Sequence, residues 1–145
     1  MNAITTNLSL FKKDYEGVIR TLDYGVRLAR DEMAHALEQL AKHEIKGKRA
    51  KGEKATAGEP PKNRTGNLRR SITSVKKREG FGMYSAEVGP TMKYSRAVEE
   101  GGKSAPSSWQ GTTAMRGFPY MKPAWDKFKA NKIMEQIVHK HLDGF

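Results

Sequence analysis

From Phe11 to Leu40 the apolar positions Phe11, Tyr15, Val18, Leu22, Val26, Ala29, Met33, Leu37 and Leu40 fall three or four residues apart. That spacing is one face of an α-helix, and it predicts a long amphipathic helix over about residues 8–41. Asn7 or Ser9 is placed to cap its start, with Asp14 and Glu16 early in the helix where the dipole favours acids. Gly17 and Gly25 each weaken a helix by about 1 kcal/mol, so packing has to compensate or a close neighbour has to explain them. A single apolar stripe of this length must find cover elsewhere in the chain or on another one.

The other end is organised by Gly117-Phe118-Pro119-Tyr120-Met121-Lys122-Pro123-Ala124-Trp125. Pro119 suits an edge strand or extended lead-in, and Pro123 suits the first turn of a helix. Phe118, Tyr120 and Trp125 are large groups expected to bury at the corner where elements meet. After it, Trp125, Phe128, Ile133, Ile137 and Leu142, with Met134 and Val138 alongside, predict a C-terminal helix over about 123–142.

Between these ends the character changes twice. Residues 42–63 set Lys46, Lys48, Arg49, Lys51, Lys54 and Lys62 among glycines and the Pro60-Pro61 pair, with almost no large apolar residue, and read as a flexible basic loop. It carries no interleaved aromatics, so phosphate contact is the most it offers a nucleic acid. Thr65 is placed to cap a short helix whose inner face holds Leu68 and Ile72, with Arg69 and Arg70 pointing outward. Ile72 to Lys77 and Ser85 to Val88 alternate as strands about a Glu79-Gly80-Phe81-Gly82 connection. Tyr94, Ala97 and Val98 have helical spacing that Gly101-Gly102 ends. Residues 101–116, rich in Ser, Gly, Thr and Pro, form a second polar loop around the isolated Trp109. The expected fold is α+β, one domain over 1–145: a long N-terminal helix and a C-terminal helix packed on a small, mainly antiparallel β-sheet, with two long polar loops.

Composition narrows the chemistry. There is no cysteine, so disulfide, thiolate-metal and thiol-nucleophile chemistry are excluded. No apolar run is long enough to span a bilayer, and no signal-peptide pattern opens the chain. His35 and His43 lie eight apart without matched ligands, and His139 and His141 suit the negative end of a helix better than a metal. No nucleophile and base, carboxylate pair or phosphate-binding glycine loop is visible, so neither an enzyme nor a cofactor or small-molecule substrate is expected. The formal charge of +11 attracts phosphates or an acidic protein surface.

Three blocks in order, Thr65-Gly66-x-Leu68-x-x-Ser71-Ile72, then Tyr94 with Glu99-x-Gly101, then Pro119-Tyr120-Met121-x-Pro123-Ala124, resemble the gene-product-ten-like tail-completion or neck proteins of long-tailed double-stranded DNA phages. The resemblance implies a virion structural protein, assembled in the host bacterial cytoplasm. It also implies a ring, often a hexamer, that closes the tail tube as a tail terminator and joins it to the head connector, with DNA near the ring channel. The implied partners are copies of the chain itself, the tail-tube protein and head-connector proteins. The motif residues are architectural in this reading. Lys46, Lys48, Arg49, Lys51, Lys54, Arg69, Arg70 and Trp109 are the candidate contacts with neighbouring subunits or partners. The alternative from the residues alone is a basic DNA-binding protein that holds phosphates through the same cations.

Overall fold

The computed structural model describes residues 2–45, 47, 58–61, 65–101 and 117–143. Its spine is helix α1, Asn2–Glu44. The helix outruns the expected 8–41 at both ends. Asn7 and Ser9 lie inside it rather than at its start, and Lys42 to Glu44 are helical rather than the start of a loop. The stripe itself explains the C-terminal extension. Leu37, Ala41 and Ile45 continue at intervals of four, and Ala41 and Ile45 are buried in the main core, so burial outweighs the polar composition around Lys42 and His43.

A short helix α2 (Asn67–Ser71) leads into strand β1 (Ile72–Gly80), which pairs antiparallel with β2 (Met83–Pro90) as a two-stranded sheet. Ile72 lies opposite Pro90, Ser74 opposite Val88 and Arg78 opposite Tyr84, with an irregularity between Arg78 and Gly80 just before the turn. Gly82 takes φ 68° there, which favours glycine. The start of α2 differs from the expected Thr65 cap. Gly66, at φ 79°, holds the cap position without a side-chain bond, and the Thr65 hydroxyl is 3.4 Å from the Asn67 amide.

Helix α3 (Ser95–Glu100) follows, and then two helices, α4 (Met121–Ala130) and α5 (Ile133–Leu142), stand where one was expected over 123–142. Asn131 and Lys132 form the break, with Lys132 in the left-handed region at φ 51°. Phe128 and Ile133 are five residues apart, so a straight helix would turn one of them off the buried face. The break lets α4 bury Ala124 and Phe128 while α5 buries Ile137, and both pack on α1. The core is Ala41, Ile45, Ile72, Tyr120 and Ala124, ringed by Leu37, Leu40, Leu68, Val88, Val98 and Met121.

The corner before α4 is built by close approach rather than by strand pairing. Residues 117–119 have no regular structure. The Phe118 amide donates to the Val98 carbonyl at 2.6 Å, and a β-carbon on Gly117 would come within 2.0 Å of the Glu99 carbonyl oxygen. Only glycine fits that crossing. The Glu99 carboxylate then accepts the amides of Tyr120, Met121 and Lys122 at 2.8, 3.1 and 3.0 Å. These are the unpaired donors of a helix N-terminus, and a negative group there also meets the positive end of the helix dipole.

Of the corner aromatics, Tyr120 is fully buried, Phe118 is half-buried and Trp125 is 41 % exposed, against the expectation that all three bury. Burial pushes the Tyr120 phenol above its ordinary 10.0. Its Oη has no hydrogen-bond partner among the described residues, the adjacent Ser95 hydroxyl falling outside bonding geometry.

Two stability outcomes follow in equilibrium urea unfolding. Glu99→Ala loses on the order of 2 kcal/mol, and Glu99→Gln less, because the amide oxygen still accepts. Tyr120→Phe leaves stability unchanged or raises it, since it removes an unsatisfied buried hydroxyl, whereas Tyr120→Ala costs about 3–5 kcal/mol.

Candidate functional site

Four charged side chains on the C-terminal half of α1 hold the other elements against it. Asp23 accepts the Gly82 amide at 2.7 Å and the Tyr84 hydroxyl at 2.7 Å, anchoring the hairpin turn. Two turns on, Arg30 donates to the Lys77 and Ser85 carbonyls at 2.8 and 3.0 Å, with its guanidinium 5.2 Å from the Tyr84 ring centroid. Glu32 accepts from Lys140 at 2.8 Å and faces the His141 Nε2 at 2.6 Å, and Glu44 pairs with Lys127. The hairpin thus runs along one flank of α1 with its turn at Asp23, and α4 and α5 run along another.

The apolar stripe of α1 from Phe11 to Leu22 is exposed. Phe11, Tyr15, Val18 and Leu22 are 70, 58, 52 and 36 % exposed, and the rings of Phe11 and Tyr15 stack at 6.5 Å. These are the first four positions of the stripe, and the helix carrying them extends roughly 30 Å beyond Asp23. The stripe therefore divides into a covered half, from Val26 onward, and a bare half. Gly17 has no atom within 4 Å of a would-be β-carbon, so no close neighbour accounts for it among the described residues. Amphipathic spacing identifies a face that needs cover and is silent on where the cover comes from, which is why the division escapes a reading of the sequence.

Where the hairpin and the C-terminal helices diverge over α1 they leave an apolar groove of about 360 Å³. Val26 and Met33 form its floor, Tyr84 and Val88 one wall, and Trp125 and Val138 the other. Trp125 stacks on Phe128 at 5.7 Å and stays accessible at the rim, together with Met134. A second concavity, about 380 Å³, is polar and sits between α1 and β1, with Arg20, Arg27, Lys76 and Arg78 around Asp23. Much of its charge is already matched: Arg30 pairs with Asp31 at 2.6 Å, Lys77 with Glu87 at 2.6 Å, and Arg78 approaches Asp23 at 3.6 Å. It is the joint that seats the hairpin.

The residues singled out in the sequence are dispersed differently. Lys46, Lys48, Arg49, Lys51, Lys54 and Trp109 lie outside the described residues. Arg69 is exposed, and Arg70 is turned back onto the Thr65 carbonyl and the Asn67 side chain at 3.1 and 2.8 Å. Gly66, Leu68, Ser71 and Ile72 form the α2–β1 junction; Ser71 and Ile72 are buried there, and the Ser71 hydroxyl donates to the Leu68 carbonyl at 2.7 Å. Tyr94 and Gly101 bracket α3, Gly101 at φ 65°, while Pro119, Tyr120, Pro123 and Ala124 belong to the corner under Glu99. No group of three or more His, Asp or Glu side chains that could hold a metal occurs among the described residues, and no described helix is long and apolar enough to cross a membrane.

Residues 18–101 match the family described as the bacteriophage HK97-gp10-like tail component. The chain belongs to that family. No curated protein and no solved structure matches it. The HK97-gp10-like segment begins at Val18 and ends at Gly101, so it holds most of the spine, the hairpin and Glu99, while α4 and α5 lie beyond it. As a phage tail component the protein is part of the virion, where its neighbours are other phage proteins.

The Tyr84 hydroxyl and the Gly82 amide hold the Asp23 carboxyl below its ordinary 3.8, and the same bond raises the Tyr84 phenol above its ordinary 10.0. A depressed acid contributes stability that is present above its unfolded value and lost as pH falls through the folded one. Thermal unfolding as a function of pH should therefore show Asp23→Asn less stable than wild type at pH 6, with the difference shrinking once the pH drops below about 4.

Proposed function

We propose that the protein completes the tail tube and joins it to the head connector as a subunit of a closed ring, a hexamer, so that it is a tail terminator of the neck. The role in this reading is structural and not catalytic, and assembly takes place in the host bacterial cytoplasm. Membership of a tail-component family supplies the setting. The observation that carries the reading is the bare half of the α1 stripe. A row of large apolar side chains standing clear of the fold is what a subunit offers when its stable form is an assembly. A ring further needs two different surfaces on each subunit, meeting head to tail, and the stripe and the groove are two such surfaces.

Size-exclusion chromatography with light scattering, alone and with the tail-tube protein, tests it. The expected result is a closed oligomer of discrete mass, formed by the protein alone or on adding the tube protein. A strictly monomeric protein under both conditions would overturn the ring.

A further inference from the structure

We infer that the ring contact is made by the bare half of α1 from one copy seated in the apolar groove of the next. This rests on the ring reading and adds the surfaces that close it. Phe11, Tyr15, Val18 and Leu22 are spaced four, three and four apart, the seam spacing by which one helix packs along another. The same stripe passes without interruption into Val26 and Met33, which floor the groove. Within a single chain the covered half of the stripe is already packed against β2, α4 and α5. What covers the bare half on a neighbour thus has the chemistry of a surface this chain is known to make.

The groove matches that demand in size and polarity. Its volume of about 360 Å³ takes more than one aromatic side chain, and its lining is apolar apart from Arg30 and the Tyr84 hydroxyl, both already engaged by α1 and the hairpin. Trp125, Met134 and Val138 at its edge are 41, 45 and 36 % exposed. With the four stripe residues they make seven large, partly bare apolar side chains that one such contact would cover, on the order of 700 Å² in all. That is most of the roughly 1,000 Å² a specific interface requires, before any polar rim is counted. A stripe-on-stripe contact, whether a two-fold pair or a bundle of helices, would leave the groove open.

The test uses two full-length variants with opposite defects. Tyr15→Glu/Leu22→Glu spoils the stripe at exposed positions of α1. Met134→Glu/Val138→Glu spoils the groove edge at exposed positions of α5. Each should keep the wild-type far-ultraviolet dichroism and thermal transition, yet weaken self-association about 100-fold or more by analytical ultracentrifugation. Mixed together they should form a one-to-one heterodimer and stop there, since the intact groove of the first takes the intact stripe of the second and both remaining surfaces are dead.

If the groove variant loses its thermal transition, Trp125→Glu replaces it in the mixture. Stripe variants that assemble like wild type would overturn the contact and leave the ring reading standing. A mixture that stays monomeric would overturn it too, because an intact stripe and an intact groove would then have failed to join. Wild-type protein that never assembles, with or without the tail-tube protein, would instead remove the ring reading beneath it. Salt separates this contact from phosphate binding: association of like-charged copies through apolar surfaces strengthens as salt rises, whereas phosphate binding weakens, so wild-type association that weakens with salt also overturns it.

Discussion

The carboxylate of Glu99 is the interaction on which the C-terminal third of the fold depends. It sits at the end of a helix only six residues long, on the family-conforming part of the chain, and takes up three amides at the start of α4. Two of those amides, of Tyr120 and Met121, are part-buried, and leaving them without a partner would cost on the order of 2 kcal/mol together. Once they are satisfied, α4 can enter with Tyr120 and Ala124 leading, and these two close the core over Ala41, Ile45 and Ile72. Gly117 works at the same crossing by steric means, since a side chain there would strike the α3 backbone and lift the corner away. One charge and one missing β-carbon together fix where the C-terminal helices begin.

Along α1 the polar anchors serve a different end. Surface ion pairs contribute little to stability one by one, and several of these are well exposed. Their positions are informative: Asp23 and Arg30 both serve the hairpin and lie seven residues apart on one face of the helix, while Glu32 serves α5 and Glu44, at the end of the helix, serves α4. Apolar packing alone tolerates sliding along a helix, and hydrogen bonds from named carbonyls and amides do not. The anchors set the register of two flanking units on one spine, and the divergence of those units opens the groove.

Much of this was legible from local pattern. The stripe from Phe11 to Leu40, the hairpin about Gly80 and Gly82, the short helix ended by Gly101 and a helical start within two residues of Pro123 all follow from periodicity and from the backbone habits of glycine and proline. The resemblance agrees with the family match over 18–101, which takes in the first two motif blocks, while the third, Pro119 to Ala124, lies beyond it. What escaped depends on residues far apart in sequence. Glu99 caps a helix more than twenty residues downstream. The extension of α1 through Lys42 to Glu44 follows from burial of Ala41 and Ile45. The break at Asn131-Lys132 carried one faint sign, the five-residue step from Phe128 to Ile133, and no glycine or proline marks it. The groove has no local signature at all, because its walls come from three separate segments.

The bare half of α1 has a consequence for when the subunit becomes competent. A helix of about twenty residues standing in water, holding Gly17 and several β-branched residues, is near the balance point between helix and coil. Its coherence then derives from whatever lies along it. A neighbour that covers the stripe ties two events into one equilibrium, the winding of the helix and the joining of the chains, so partial engagement gains little and full engagement gains both. Such coupling sharpens the concentration at which separate subunits give way to assembled ones, and it keeps a dilute subunit from presenting a finished adhesive surface.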